Sequence, residues 1–211
     1  INDQYVAEIS LEETIGGTIG MAAGFYTGDV KNGYIFEDIQ IKSVESMVVA
    51  NSANSIAYEA TDALTAAHRI GDIDVTNFIL EFQVENPAEK WSTGAKIRKS
   101  DSSDQSIVVG TFESGNYGWV HYLGTESNHW EIIDKESYSG LNEAVGQTNK
   151  FKIIATGNHG LFFVNDNFVT TLDLSRNIQN GGISIYGDVY GDRITDGVTK
   201  FHSTKLWHLG E

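Results

Sequence analysis

The stretch from Gly160 to Leu174 constrains the fold more than any other part of the chain. Two runs rich in β-branched and aromatic residues flank Asn165-Asp166, and Asx residues tolerate the positive φ that a two-residue hairpin turn demands. The stretch reads as a β-hairpin. Its second half recurs at residue 1, where Ile1 to Leu11 aligns without a gap on Val164 to Leu174 at an offset of 163 residues. The echo continues downstream: Gly28-Asp29 matches Gly191-Asp192, Asn32-Gly33 matches Asp196-Gly197 and Phe36 matches Phe201, with the offset drifting to 165. Small loop-length differences account for the drift. The expectation is that residues 1–45 are the C-terminal strands of a similar preceding module, or swapped strands that complement a neighbour, and that residues 46–211 form one domain.

Elsewhere the chain is a succession of short strand patterns. Asn77 to Glu85 is the cleanest: Phe78, Leu80, Phe82 and Val84 alternate with Glu81, Gln83 and Glu85, so one face is core and the other wet. The only proline, Pro87, ends the run. Strands are expected at Gly94–Lys99, Ser106–Phe112, Tyr117–Leu123, His129–Ile133, around Phe151–Ala155, at Gly182–Val189 and at Val198–His208, punctuated by glycine and Asn/Ser turns. A helical turn over Glu59–Ala67 is the one departure. About a dozen strands with almost no helix mean an all-β sandwich or jelly roll.

Composition excludes several function classes. A net charge of −15 argues against nucleic acid or an anionic membrane as partner, since both require a basic patch. The same acidity suits a secreted or surface protein and a calcium ligand set. With no cysteine, neither a disulfide framework nor a thiolate metal site is available. No apolar run reaches the length of a membrane span, and no basic leader followed by an apolar segment opens the chain.

The order Asn77–Phe82, Asn86-Pro87, Trp91, Gly94, Arg98, Phe151-Lys152-Ile153, the Val164–Val169 hairpin, Gly182–Ile185 and a final Lys205-Leu206-Trp207 resembles the concanavalin A-like jelly-roll superfamily. Laminin-G-like and 3-keto-disaccharide hydrolase-like modules belong there, and the pattern is similar to modules repeated in large bacterial surface and secreted proteins. The resemblance covers residues 46–211, and residues 1–45 resemble the last third of another such unit. Asp166 stands where these hairpins usually carry glycine.

That resemblance directs attention to Glu81, Gln83 and Glu85, because laminarinase-like glucanases in the superfamily carry a Glu-x-Asp-x-Glu strand. The central acid is Gln83 here. Glu81 and Glu85 lie about 13 Å apart along a strand, whereas retaining hydrolysis needs carboxyls roughly 5 Å apart. No catalytic residue is expected. The six histidines form no metal-binding spacing, and neither a nucleophile elbow nor a phosphate loop occurs. An aromatic hairpin, Tyr117, Trp119, His121, Tyr122 and Trp130, is the candidate glycan surface, because sugar rings stack on aromatic faces. Large rings also fill sandwich cores, and Tyr117 and Trp119 share a face by parity. Asp188, Asp192 and Asp196 offer three carboxylates for a calcium ion, against the plainer reading of Asp at turns.

The expected function is a non-catalytic extracellular or cell-surface repeat module of a filament or adhesin, assembling head-to-tail with copies of itself and making polysaccharide or calcium contacts. A carbohydrate-binding module of a secreted enzyme is the second reading. A glycoside hydrolase is the third.

Overall fold

The computed structural model describes residues 48–52, 56–59, 66–87, 91–99, 106–113, 117–124, 130–189 and 198–210. Among them the strands are β1 (Val48–Ser52), β2 (Ile56–Glu59), β3 (Ala66–Arg69), β4 (Phe78–Glu85), β5 (Trp91–Lys99), β6 (Ser106–Glu113) and β7 (Tyr117–Gly124). The second half supplies β8 (Trp130–Ser137), β9 (Thr148–Thr156), β10 (His159–Val164), β11 (Asn167–Asp173), β12 (Gly182–Val189) and β13 (Val198–His208). No described residue is helical. The helical turn expected over Glu59–Ala67 is replaced at its ends by β2 and β3, where pairing to β13 and β12 overrides local helix propensity. Its middle lies outside the described residues, as do residues 1–45.

Two antiparallel sheets face each other. Sheet one runs β1-β13-β4-β9-β10-β11, with β2 also on β13, and sheet two runs β3-β12-β5-β6-β7-β8. Alternation sets which residues meet between them. On β4 the even positions Phe78, Leu80, Phe82 and Val84 are buried, while Ile79, Glu81, Gln83 and Glu85 are half-buried on the outer face. Phe82 stacks on Phe151 at 5.2 Å between ring centres, Phe151 on Phe162 at 6.2 Å, and Phe201 tilts onto Phe82 at 6.1 Å. Each such ring, fully buried, contributes roughly 1.5–3 kcal/mol. Sheet two answers with Trp91, Ala95, Ile97, Ile107, Val109, Ile183 and Ile185. Its opposite face is closed too, for Ser92, Ser106, Val108 and Tyr186 are all buried there. Gly94 and Gly110 pair across β5 and β6, and a Cβ on either would strike the paired backbone and the Tyr186 ring. Tyr186 thus lies in a saddle that only glycines provide.

Two buried polar clusters lock the ends of the sandwich. At one, Arg98 has a φ of 54° and is fully buried, with no carboxylate beside it among the described residues. Its guanidinium donates instead to backbone carbonyls: Nε and Nη2 to Thr76 at 3.2 and 2.8 Å, Nη2 to Gly157 at 2.6 Å, and Nη1 to Asn177 at 2.9 Å. Burial lowers its pKa from the ordinary value. At the other end Asn149 donates to Asn86 Oδ1 and the Asn142 carbonyl, and accepts from the Asn142 amide and Asn165 Nδ2. Asn86 reaches the carbonyls of Asn142 and Ala144, so residues 142–144 are pinned to β4 and β9.

Asn165 belongs to the hairpin that the sequence singles out. Asn165 and Asp166 both have positive φ, 51° and 63°, the geometry of a type I′ turn. Asp166 fills the left-handed position without glycine, and Lys150 Nζ meets its carboxylate at 2.7 Å. That exposed pair is worth little, whereas left-handed backbone disfavours a side chain. Asp166→Gly is expected to raise the urea midpoint, by less than about 1 kcal/mol because glycine also loosens the unfolded chain. A loss above that size would mean that the Lys150 pair holds the turn.

Candidate functional site

The sandwich is open along one side, where edge strand β8 of sheet two passes β10 and β11 of sheet one. A cleft of about 570 Å³ lies there, lined by Asp134, Asn158, His159, Thr171, Asp173 and Ser175 over Ile133 and Leu172. Leu172 is a buried core residue and Ile133 is half-buried; the six polar residues are exposed. The floor is apolar and the walls carry donors and acceptors. Local turns set those walls. The Asn158 carbonyl accepts the Leu174 amide at 2.9 Å, and Asp173 Oδ1 accepts the Ser175 amide at 2.9 Å. On the facing strand a register shift in the β7–β8 ladder falls between the His121–Asp134 and Tyr122–Ile132 pairs, and Asp134 Oδ1 accepts the Lys135 amide.

One ion pair ties the two sheets beside this opening. Arg176, just beyond β11, grips Glu131 of β8 with two bonds of 2.8 and 2.7 Å. The Arg176 bonds hold the Glu131 carboxyl below its ordinary pKa, and Glu131 in turn raises Arg176. Both side chains are exposed, so salt screens the pair.

The aromatic hairpin is β7 with the start of β8, and its register gives the five residues their partners. Tyr117, Trp119 and His121 stand opposite Glu113, Thr111 and Val109 of β6. Tyr122 stands opposite Val108, and Trp130 opposite Gly124, whose own partner is Ser106. Their side chains lie outside the described set. His121 is the register partner of Asp134, so the strand that carries it adjoins the cleft.

Glu81, Gln83 and Glu85 sit on the outer face of sheet one among cations. Glu81 has Lys150 at 4.0 Å, and Glu85 has Lys200 at 2.9 Å and His202 at 3.8 Å. The Lys200 hydrogen bond, then its charge and His202, pull the Glu85 carboxyl below its ordinary pKa. These are cross-strand pairs on a wet sheet face. Asp188 is in β12 opposite Ser92, while Asp192 and Asp196 lie outside the described residues. Among the described residues no group of three His, Asp or Glu side chains is placed to hold a metal ion. No helix among them is long and apolar enough to cross a membrane.

The polar residues of the cleft carry no sequence motif. His159 is one histidine of six, Asp173 lies in the Gly160–Leu174 hairpin stretch, and Asn158 and Ser175 belong to no motif. Only the approach of β8 to β10 and β11 assembles them.

No protein-family model matches the chain, and no curated protein matches it in sequence. Solved structures do match in shape. The carbohydrate-binding module CBM66 from Bacillus subtilis superposes with a TM-score of 0.53 at 10% identity, over 76% of this chain and 96% of that one. A Bacillus licheniformis β-glucanase gives 0.52 at 10% identity over 72% and 77%. A glycosidic hydrolase gives 0.51 at 12% over 68% and 70%. With its two antiparallel sheets, the protein is an all-β, concanavalin A-like jelly-roll sandwich.

Proposed function

We propose that the protein is a non-catalytic carbohydrate-binding module that works outside the cell or at its surface. The cleft at the open side of the sandwich carries this reading. Sugars present hydroxyls to be bonded and C–H faces to be covered, and the exposed polar residues beside half-buried Ile133 offer both. Strand β7, with its aromatic residues, runs beside it. The solved structures of similar shape include a carbohydrate-binding module, and the acidic composition fits an extracellular setting. Glycoside hydrolases share the shape too. The cationic pairing of Glu81 and Glu85, with Gln83 between them, favours binding over hydrolysis.

Calorimetric titration with a panel of soluble polysaccharides tests the binding. One or more should bind, and His159→Ala should weaken that binding roughly tenfold, the effect of about 1.4 kcal/mol from a lost polar contact. The melting temperature of that variant should not change. Trp119→Ala, measured alongside, reports whether β7 contributes. A panel that yields no binding ends the reading. A reducing-sugar assay should show no turnover, and turnover abolished by Glu81→Gln would make the protein a hydrolase instead.

A further inference from the structure

The internal match acquires a structural meaning once the strand pairing is known. At offsets of 163 to 165, residues 4–10 fall on β11, residues 19–26 on β12 and residues 33–43 on β13. In the described domain these three strands form no ladder with one another. β11 pairs with β10, β12 with β3 and β5, and β13 with β1, β2 and β4. β12 even belongs to the opposite sheet. Strands equivalent to β11, β12 and β13 would form no ladder with one another, and by themselves would leave backbone groups and an apolar face in water. Every strand it must pair with comes from the first ten of a unit.

Those positions are already filled in residues 48–208, because the domain's own β11, β12 and β13 occupy them. An intact second copy offers no vacancy unless it releases its own closing strands. We infer that residues 1–45 are the closing third of a preceding jelly-roll unit of the same polypeptide, and that the protein functions as a tandem array with a repeat of 163 to 165 residues. The strand equivalent to β13 would end at residue 43 and β1 begins at Val48, which leaves residues 44–47 as the spacer. Four residues reach at most about 14 Å, so successive units sit close together. The inference is independent of what the cleft binds.

A reconstruction tests it. Residues 46–163 are placed ahead of Ile1 in the 211-residue chain, so that Ile1 follows the equivalent of Phe163 and one complete upstream unit is restored. Hydrogen exchange should then protect residues 4–10, 19–26 and 33–43 as well as β11, β12 and β13. In the 211-residue chain alone those segments should exchange freely, and deleting residues 1–45 should leave a monomer whose melting temperature changes by less than about 2 °C. Continued free exchange in the reconstruction would overturn the inference. So would protection of residues 1–45 in the monomeric 211-residue chain, since the segment would then pack on its own domain, for example over the closed outer face of sheet two. Protection that appears only with concentration-dependent dimers would mean strand exchange between copies and would overturn it equally.

Discussion

Replacing Arg98 with methionine is expected to lower the unfolding free energy by about 3 kcal/mol, since a buried acceptor left without a donor costs roughly 1–3 kcal/mol. Methionine retains much of the stem's volume, so cavity formation contributes little. What is lost is the fork. The carbonyls of Thr76, Gly157 and Asn177 converge on one guanidinium, and no other described side chain donates to them. They come from the start of β4, the turn before β10 and the loop after β11, so the variant uncouples three segments at once. Relief from burying a charge offsets part of the loss. Arg98→Lys should recover only a minor share, because a single ammonium cannot span three acceptors set around a planar fork. For a domain of this size the methionine variant should melt roughly 6–12 °C lower. Paired urea and thermal melts decide the matter. A methionine variant within 1 kcal/mol of the parent would show that water satisfies the carbonyls and that Arg98 is replaceable.

Asn149→Ala should cost a similar amount at the other end of the sandwich. Asn149 has no exposed surface and makes four hydrogen bonds, all between 2.9 and 3.0 Å. Removing it takes the partner from Asn86 Oδ1 and from the Asn142 amide and leaves Asn165 Nδ2 with its Gly140 bond alone, so we expect a loss of about 3 kcal/mol. Asn86→Ala should also be severe, yet the double variant should fall short of the sum by at least about 1 kcal/mol, because both substitutions break one network. Additive losses would argue that the contacts act separately. Asn149→Asp adds a signed test. Its carboxylate would face the acceptors Asn86 Oδ1 and the Asn142 carbonyl, so the folded state favours the protonated form and its pKa rises above the unfolded value near 3.9. Stability of that variant should therefore increase as pH falls from 7 toward 4, opposite to the usual acid limb.

These clusters show where reading along the chain stops. Asn86, Trp91, Arg98 and the Asn165-Asp166 turn were all legible as parts of a pattern, and the strand alternation at Phe78 to Val84 fixed which face of β4 is buried. The pattern did not say what those polar residues bond. Arg98 reaches carbonyls 22, 59 and 79 positions away, and Asn149 lies 63 from Asn86. Hydrogen bonds across such separations leave no periodicity, because they depend on loops meeting at the ends of the sheets.

Local pattern determined the elements of this protein. Alternation with period two made strands, and Asx residues that tolerate positive φ made the hairpin. An internal match, ungapped over residues 1–11, exposed the similarity between residues 1–45 and the closing strands. Tertiary structure alone decided which strands neighbour one another, and with that the site. Tyr117, Trp119 and His121 take Glu113, Thr111 and Val109 as register partners, and Tyr122 takes Val108. Asp134 meets His159 and Asp173 at one cleft because the two sheets leave their edges open on the same side. Strand order is set by the burial of many side chains at once, and no short stretch of sequence contains that sum.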